Sequence, residues 1–372
     1  MSFLEALKNQ TTKEPIGYML NTIITGTGSY IPTVKVANRE FLDREFYNIN
    51  GEKIEKSNED IVKQFQNITC IKERRYASDH LKTTDIAFEA AKTALEGTDK
   101  ESLDYLIVAH NYGDVATGGD VRVDMCPSLA SRVKHLLEIE NPYTVAYDVP
   151  FGCPGWLHGV IIADQHIKSG NAKKVLVIGA EILSRVVDSH DIDSMIFADG
   201  AGAVLLEATD KDVGILSHVT RSDTKNEVFL IWNGRTYGPN PSDEAIYLKM
   251  HGHQIYKYGL KFVPQVVKLS LEKAGLTLTD VKKVLMHQAN EKMDRAILKH
   301  LFKLYGLKAS SEDVMPMTIS WLGNSSVATL PTMFDLMQKG KLDNHRLHSG
   351  DIAVFASVGA GMNINSMVYR MP

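Results

Sequence analysis

The sequence predicts an α/β protein built from two similar halves. Three observations carry this reading. Short apolar runs alternate with helical segments, one helix–turn–strand pattern occurs twice, and two helical segments of equal length each precede an apolar strand. The chain has 372 residues, 44% apolar and 23% charged, as expected for a globular protein of about two domains.

Residues 1–19 read as a polar N-terminal extension. Leu20 to Thr25 is apolar and β-branched and reads as the first strand, and the glycine-bearing stretch 26–32 reads as a turn. Residues 39–68 are strongly charged and read as surface helices and loops. Leu103 to Ala109, Tyr143 to Val149 and Val175 to Ile178 read as buried strands, each short, apolar and bounded by turn residues. The repeat pairs Ala87 to His110 with Val266 to Asn290. Gly97 precedes Leu106 by nine positions, and Gly275 precedes Val284 by nine. A second pair runs from Cys153 to Gly170 and from Gly323 to Gly340, 17 positions each. The expected division is an N-terminal half over 20–207 and a C-terminal half over 208–372.

The net charge of −4 argues against a general nucleic-acid binder. Three cysteines, with no secretory signal, fit a reducing cytoplasm better than a disulfide framework. No run approaches about 18 apolar residues, so no membrane span is expected.

Cys153 lies between an apolar strand and a helix, with Pro154 suited to a first helical turn. A cysteine at a helix N-terminus has its thiolate favoured and its pKa lowered, although most single cysteines are merely structural. His287 closes the apolar run Val284-Leu285-Met286, where ligands of α/β sheets usually gather; it also reads as an ordinary structural histidine. Asn324 reads on its own as a helix N-cap. The small-residue segment Gly359-Ala360-Gly361 can present backbone N–H groups to an oxyanion, or simply turn tightly. Gly26-Thr27-Gly28 lacks the rest of a dinucleotide fingerprint. The stretch 188–193 lacks calcium-loop spacing and reads as a polar loop, and His251 with His253 has no third ligand. No metal or redox cofactor is expected.

In order along residues 20–372, several segments together resemble the β-ketoacyl-acyl-carrier-protein synthase III family of the thiolase superfamily. They are Gly26-Thr27-Gly28-Ser29-Tyr30-Ile31-Pro32, Ile71-Lys72-Glu73-Arg74-Arg75, the Cys153 region, and Phe197-Ala198-Asp199-Gly200-Ala201-Gly202. Then come His287-Gln288-Ala289-Asn290, Gly323-Asn324-Ser325-Ser326 and Gly359-Ala360-Gly361. The resemblance implies a five-layered αβαβα fold of two duplicated halves and a homodimer. It implies that Cys153 holds an acyl group taken from an acyl-CoA or acyl-carrier thioester. The backbone N–H groups of Cys153 and Ala360 would form the oxyanion hole. His287 and Asn324 would bind the carbonyl of a malonyl-type thioester as it loses CO₂. It places acyl-carrier-protein docking on Lys292, Arg295 and Lys299, a stripe that otherwise reads as a solvated basic face continuing to Lys303.

Three departures stand out. Asn58-Glu59-Asp60 occupies the place of an Asp-Glu-Trp motif whose indole stacks on adenine in acyl-CoA-using members. Cys126 stands where some relatives carry a bulky acyl-pocket gate. The sequence Phe151-Gly152-Cys153-Pro154-Gly155-Trp156 replaces the usual alanine-rich nucleophile context. These point to a specialised branch, such as those making alkylresorcinols, quinolones, polyenes or head-to-head condensed lipids. The competing activities are a non-decarboxylating condensation or acyl transfer, thioester hydrolysis, and a non-catalytic partner subunit. The intact cysteine, histidine and asparagine weigh against the last.

Overall fold

The computed structural model describes residues 20–116, 123–240, 244–308 and 313–372. The expected N-terminal extension lies outside these residues. Two sheets form the frame. In the first, β1 (Asn21–Tyr30), β9 (Asp199–Thr209), β8 (Lys174–Ile182), β4 (Tyr105–Ala109) and β7 (Val145–Val149) lie side by side in that order. The pairings run antiparallel, antiparallel, parallel, parallel. In the second, β10 (Gly214–Ser222), β15 (Asn363–Arg370), β14 (Ile352–Gly359) and β13 (Val281–Met286) repeat the first three relationships.

Side-chain alternation then divides each strand between two cores. Ile107, Val177 and Val204 from the first sheet, with Leu285, Phe355 and Met367 from the second, face inward onto α4 (Gly155–Lys168) and α8 (Thr329–Gln338). Their neighbours Leu106, Leu176 and Leu205 face outward onto α2 (Thr83–Ala94) and α3 (Leu129–Leu136). Val284, Val354 and Val368 face α5 (Gly252–Lys273) and α6 (Glu291–Leu304) on the opposite side. The result is the five-layered αβαβα fold of two duplicated halves. The sequence repeat is visible in it. Helix α2, a left-handed Gly97 (φ 76°), a 3-10 turn and β4 match α5, Gly275 (φ 69°), a 3-10 turn and β13. A Cβ at either glycine would meet nothing, so the backbone conformation, not space, calls for glycine there.

Two expectations need correction. The stretch from Gly26 does not turn the chain; β1 continues through it to Tyr30. Its glycines serve close packing, because a Cβ at Gly26 or Gly28 would strike the carbonyl oxygens of Ala94 and Ala90 on α2. Residues 39–68 are not simply a solvated face. Phe41, Phe46, Ile61 and Phe65 bury themselves with Leu183, Phe197 and Ile319, roofing the region above the sheets. The roof includes the ribbon of β2 (Val34–Ala37) and β3 (Glu73–Tyr76), helix α1 (Asn58–Thr69) capped by Ser57, and the short α7 (Ile319–Leu322). Two further ribbons pair β5 (Asp114–Val115) with β6 (Val123–Asp124), and β11 (Ile231–Gly234) with β12 (Tyr247–Met250). Among the described residues no helix is long and apolar enough to cross a membrane.

Candidate active site

The inner ends of the two halves meet at Cys153. After β7 the chain turns through left-handed Gly152 (φ 65°) and enters α4 at Gly155, with Pro154 as the cap. A Cβ on Gly152 would sit 2.8 Å from the Ala360 nitrogen, and one on Gly359 would sit 2.6 Å from the Cys153 nitrogen. The two backbones therefore touch, which only glycine permits. The helix start predicted from sequence is present, but its expected effect on the thiol is overridden. Burial pushes the Cys153 thiol up to about 11, and the Glu181 carboxyl acts in the same direction. Against this, the Ser326 hydroxyl donates to Sγ at 3.4 Å. Burial was not legible in the local pattern that suggested a lowered pKa.

His287 leaves the end of β13, held by its N–H on the Ala356 carbonyl at 2.9 Å. It is 3% exposed, and burial pushes its pKa down to about 4, so the ring is neutral at pH 7. The nearby Ser326 N–H opposes that shift, yet it bonds Asn324 Oδ1 at 2.8 Å, and Nδ1 of His287 has no partner in bonding geometry among the described residues. The Asn324 amide is thereby oriented, with its oxygen occupied and its NH₂ left to donate. Asn324 is not the cap of α8, which begins five residues later. It is pinned by Asn324 N to Ile196 O at 3.0 Å and Ala198 N to Asn324 O at 2.8 Å. Gly323 (φ 70°) precedes it, packed on the buried side chain of Arg74. That guanidinium donates to the carbonyls of Val36 and Met195 and to Asn38 Oδ1, tying the roof to the site.

Cys153, His287, Asn324, Ser326 and Ala360 line one cavity of about 240 Å³, otherwise mostly apolar. A second cavity of about 660 Å³ shares Met250, Ile255, Ala289 and Met293 with it and reaches α1 and α6. A nucleophile, a neutral imidazole and an amide thus converge at the inner end of an apolar passage. Such a set can hold an acyl group on sulfur and donate hydrogen bonds to a second carbonyl.

The other predicted residues fall differently. Cys126 is exposed and does not line the Cys153 cavity, because the β5–β6 ribbon carries it to the surface. Part of the long loop leading to it, 117–122, lies outside the described residues. Lys292, Lys299 and Lys303 are exposed on α6, whose Asn290 and Met293 line the outer cavity. Arg295 is not a free cation; its Nε bonds Glu291 at 2.9 Å. The polar loop at 188–193 is an anchor: Asp188 and Asp191 grip the fully buried Lys249 of β12 at 2.5 and 3.2 Å. Sequence reasoning missed this, since the partners lie about 60 positions apart. It also missed Glu181, which no local motif marks, and the role of Ser326, which the Gly323-Asn324-Ser325-Ser326 segment contains but does not single out.

The sequence profile described as 3-Oxoacyl-[acyl-carrier-protein (ACP)] synthase III matches residues 147–224, and the profile of its C terminal part matches 271–371. The chain is 34% identical over 315 residues to a β-ketoacyl-[acyl-carrier-protein] synthase III of Neisseria meningitidis, covering 84% of this chain and 88% of that protein. Its fold matches the 3-oxoacyl-[acyl-carrier-protein] synthase III of Aquifex aeolicus with a TM-score of 0.75 at 29% identity, covering 94% and 99% of the two chains. The priming β-ketosynthase of the R1128 polyketide pathway gives a TM-score of 0.76 at 25% identity, with 97% and 99% covered. The chain therefore belongs to the β-ketoacyl-[acyl-carrier-protein] synthase III family, condensing enzymes of the thiolase fold and hence acyltransferases.

Proposed function

We propose that this enzyme loads an acyl group on Cys153 and extends it by decarboxylative Claisen condensation with a malonyl-type carrier-protein thioester. Cys153 Sγ attacks the donor thioester and the donor thiol leaves. The malonyl thioester then loses CO₂, and the enolate carbon attacks the acyl carbonyl, returning the electron pair to Sγ. The observation that carries this reading is the company Cys153 keeps. An enolate oxygen needs donors, and a neutral imidazole and the free Asn324 NH₂ supply two. The Cys153 and Ala360 N–H groups serve as the oxyanion hole for the acyl carbonyl, supported by the glycine contact between their segments. Intact-mass analysis after incubation with acyl-CoA and acyl-carrier thioesters tests the assignment. One acyl adduct is expected on the wild type and none on Cys153→Ala; an adduct of equal yield on Cys70 or Cys126 overturns it.

The same reading includes a homodimer and a docked carrier protein. Strand β7 is an edge of the first sheet, and Val145 on it is 47% and Tyr143 just before it 85% exposed, an apolar edge that pairing with a second copy would cover. Gating of the acyl end by Cys126 then requires presentation from the partner subunit. Sedimentation should give a dimer that Val145→Lys weakens. Carrier docking falls on Lys292 and Lys299, beside the outer cavity. The division between the halves is placed at 207/208, near the end of β9 at Thr209.

A further inference from the structure

The nucleophile sits at the end of a buried hydrogen-bond chain. Glu181, fully buried on β8, accepts the Asn111 backbone N–H at 3.0 Å and the Asn111 side-chain amide at 2.6 Å, both on Oε2. The same Nδ2 lies 3.3 Å from Ser326 Oγ, and Ser326 Oγ lies 3.4 Å from Cys153 Sγ. The chemistry of the members sets its direction. An amide NH₂ only donates, so with one hydrogen on Glu181 its second is directed at the Ser326 oxygen. That oxygen, already accepting, has its own O–H left to give, and the sulfur is within reach. Ser326 also holds a left-handed backbone (φ 53°), an unfavourable state for a non-glycine residue, kept by its N–H on Asn324 Oδ1 at 2.8 Å.

We propose that Asn111, anchored as a donor on Glu181, directs a donor chain through Ser326 that ends on Cys153 Sγ, with Ser326 a positioning residue that stabilises the thiolate. The inference rests on Cys153 being the nucleophile and deepens it. A hydroxyl aimed at sulfur favours the charged form, because hydrogen bonds to ions are stronger than those to neutral groups. The chain thus works against the burial that disfavours the thiolate. Asn111 supplies the direction: without it the Ser326 hydroxyl is free to rotate away.

Among the described residues, the titratable groups around the thiol are Glu181 on β8, Tyr112 after β4 and His287 after β13. Burial raises Tyr112 and lowers His287, so both stay uncharged between pH 7 and pH 10, where Glu181 is the one that completes its ionisation. The test is the pH profile of Cys153 alkylation by iodoacetamide, in which sulfur takes the carbon, iodide leaves and the thiol proton goes to solvent. Peptide mapping separates Cys153 from Cys70 and Cys126. Ser326→Gly removes the hydroxyl while suiting the left-handed backbone. Its alkylation should be about tenfold slower at each pH from 7 to 10, the displacement that follows when the profile moves up by about one pH unit. Asn111→Ala should raise it by a smaller amount. A Ser326→Gly profile that superimposes on the wild type overturns the proposal, and an Asn111→Ala profile that superimposes overturns the chain behind Ser326. The measurement needs no acyl donor, so its failure is distinct from a failure of Cys153 to accept an acyl group.

Discussion

Gly152 and Gly323 occupy matching places in the two halves. Each has a positive φ, each ends a turn before a central helix, and each precedes the residue that faces the cavity, Cys153 in one half and Asn324 in the other. The halves differ in the path from that residue to the helix. Helix α4 begins two residues after Cys153, whereas a 3-10 turn at Ser326–Ala328 delays α8. That delay brings Ser326 back toward the sulfur and lets its N–H orient Asn324. A second match concerns the strand ends. With Gly97 laid on Gly275, His110 falls on Gln288 and Ala109 on His287. His110 and Gln288 do similar structural work. Nε2 of His110 lies 3.0 Å from Asp148, which accepts the first N–H groups of α3, and Gln288 accepts the N–H groups of Thr318 and Ile319 at the start of α7. One position over, a buried alanine methyl in the first half is replaced by the imidazole in the second. The shared frame supplies placement, and single side chains supply the chemistry.

The largest expected effect breaks the division of labour directly. His287→Ala or Asn324→Ala should retain acyl loading and lose about 10²–10³ in condensation rate, read from single-turnover kinetics. Equal loss in loading would mean that His287 and Asn324 also serve the nucleophile. The next concerns charge. The N-terminal half buries an acid on β8, while β14, its counterpart in the sheet order, has none. Burial raises Glu181 to about 7, opposed by His110 and the Asn111 hydrogen bonds. A carboxyl raised in the folded state binds protons that the unfolded chain has released. Its contribution is therefore present below about pH 4.5 and is lost as pH rises through 7. Glu181→Gln should gain stability relative to wild type over that window, by up to about 3 kcal/mol in denaturant titrations; a flat difference contradicts the burial.

Smaller effects test the matched glycines. Gly152→Ala would press on the Ala360 backbone, and Gly323→Ala on the Arg74 side chain, each at a positive φ that a side chain rarely adopts. Each should cost about 1–3 kcal/mol in thermal or chemical unfolding. A large cost at one and none at the other breaks the equivalence. Smallest is docking: Lys292→Ala with Lys299→Ala should raise KM for the carrier-protein substrate a few-fold at low salt, with the difference fading as salt rises.

The two halves also differ in how much of each was readable from sequence. The repeat was legible because glycine, turn and strand recur at fixed intervals, and the Cys153 helix start because strand, proline and helix are adjacent. Apart from the family resemblance, Asn324 was visible only as a helix cap, because its true partner, the Ser326 N–H, depends on a 3-10 turn that composition does not mark. The thiol pKa was misjudged, since burial comes from segments up to about 200 positions away. For the same reason Lys249 with Asp188, and Glu181 with Asn111, could not be paired from sequence: the first pair is brought together beside the Val187–Leu248 bridge and the second by the neighbouring strands β4 and β8, not by local spacing.

The most direct test of the central claim tracks one turnover on enzyme already acylated at Cys153. On adding a malonyl-carrier thioester, the wild type should release one CO₂ for each acyl group leaving Cys153, and His287→Ala should keep its adduct. Loss of CO₂ with the Cys153 adduct intact in the wild type, or product formed by Cys153→Ala, would contradict the account.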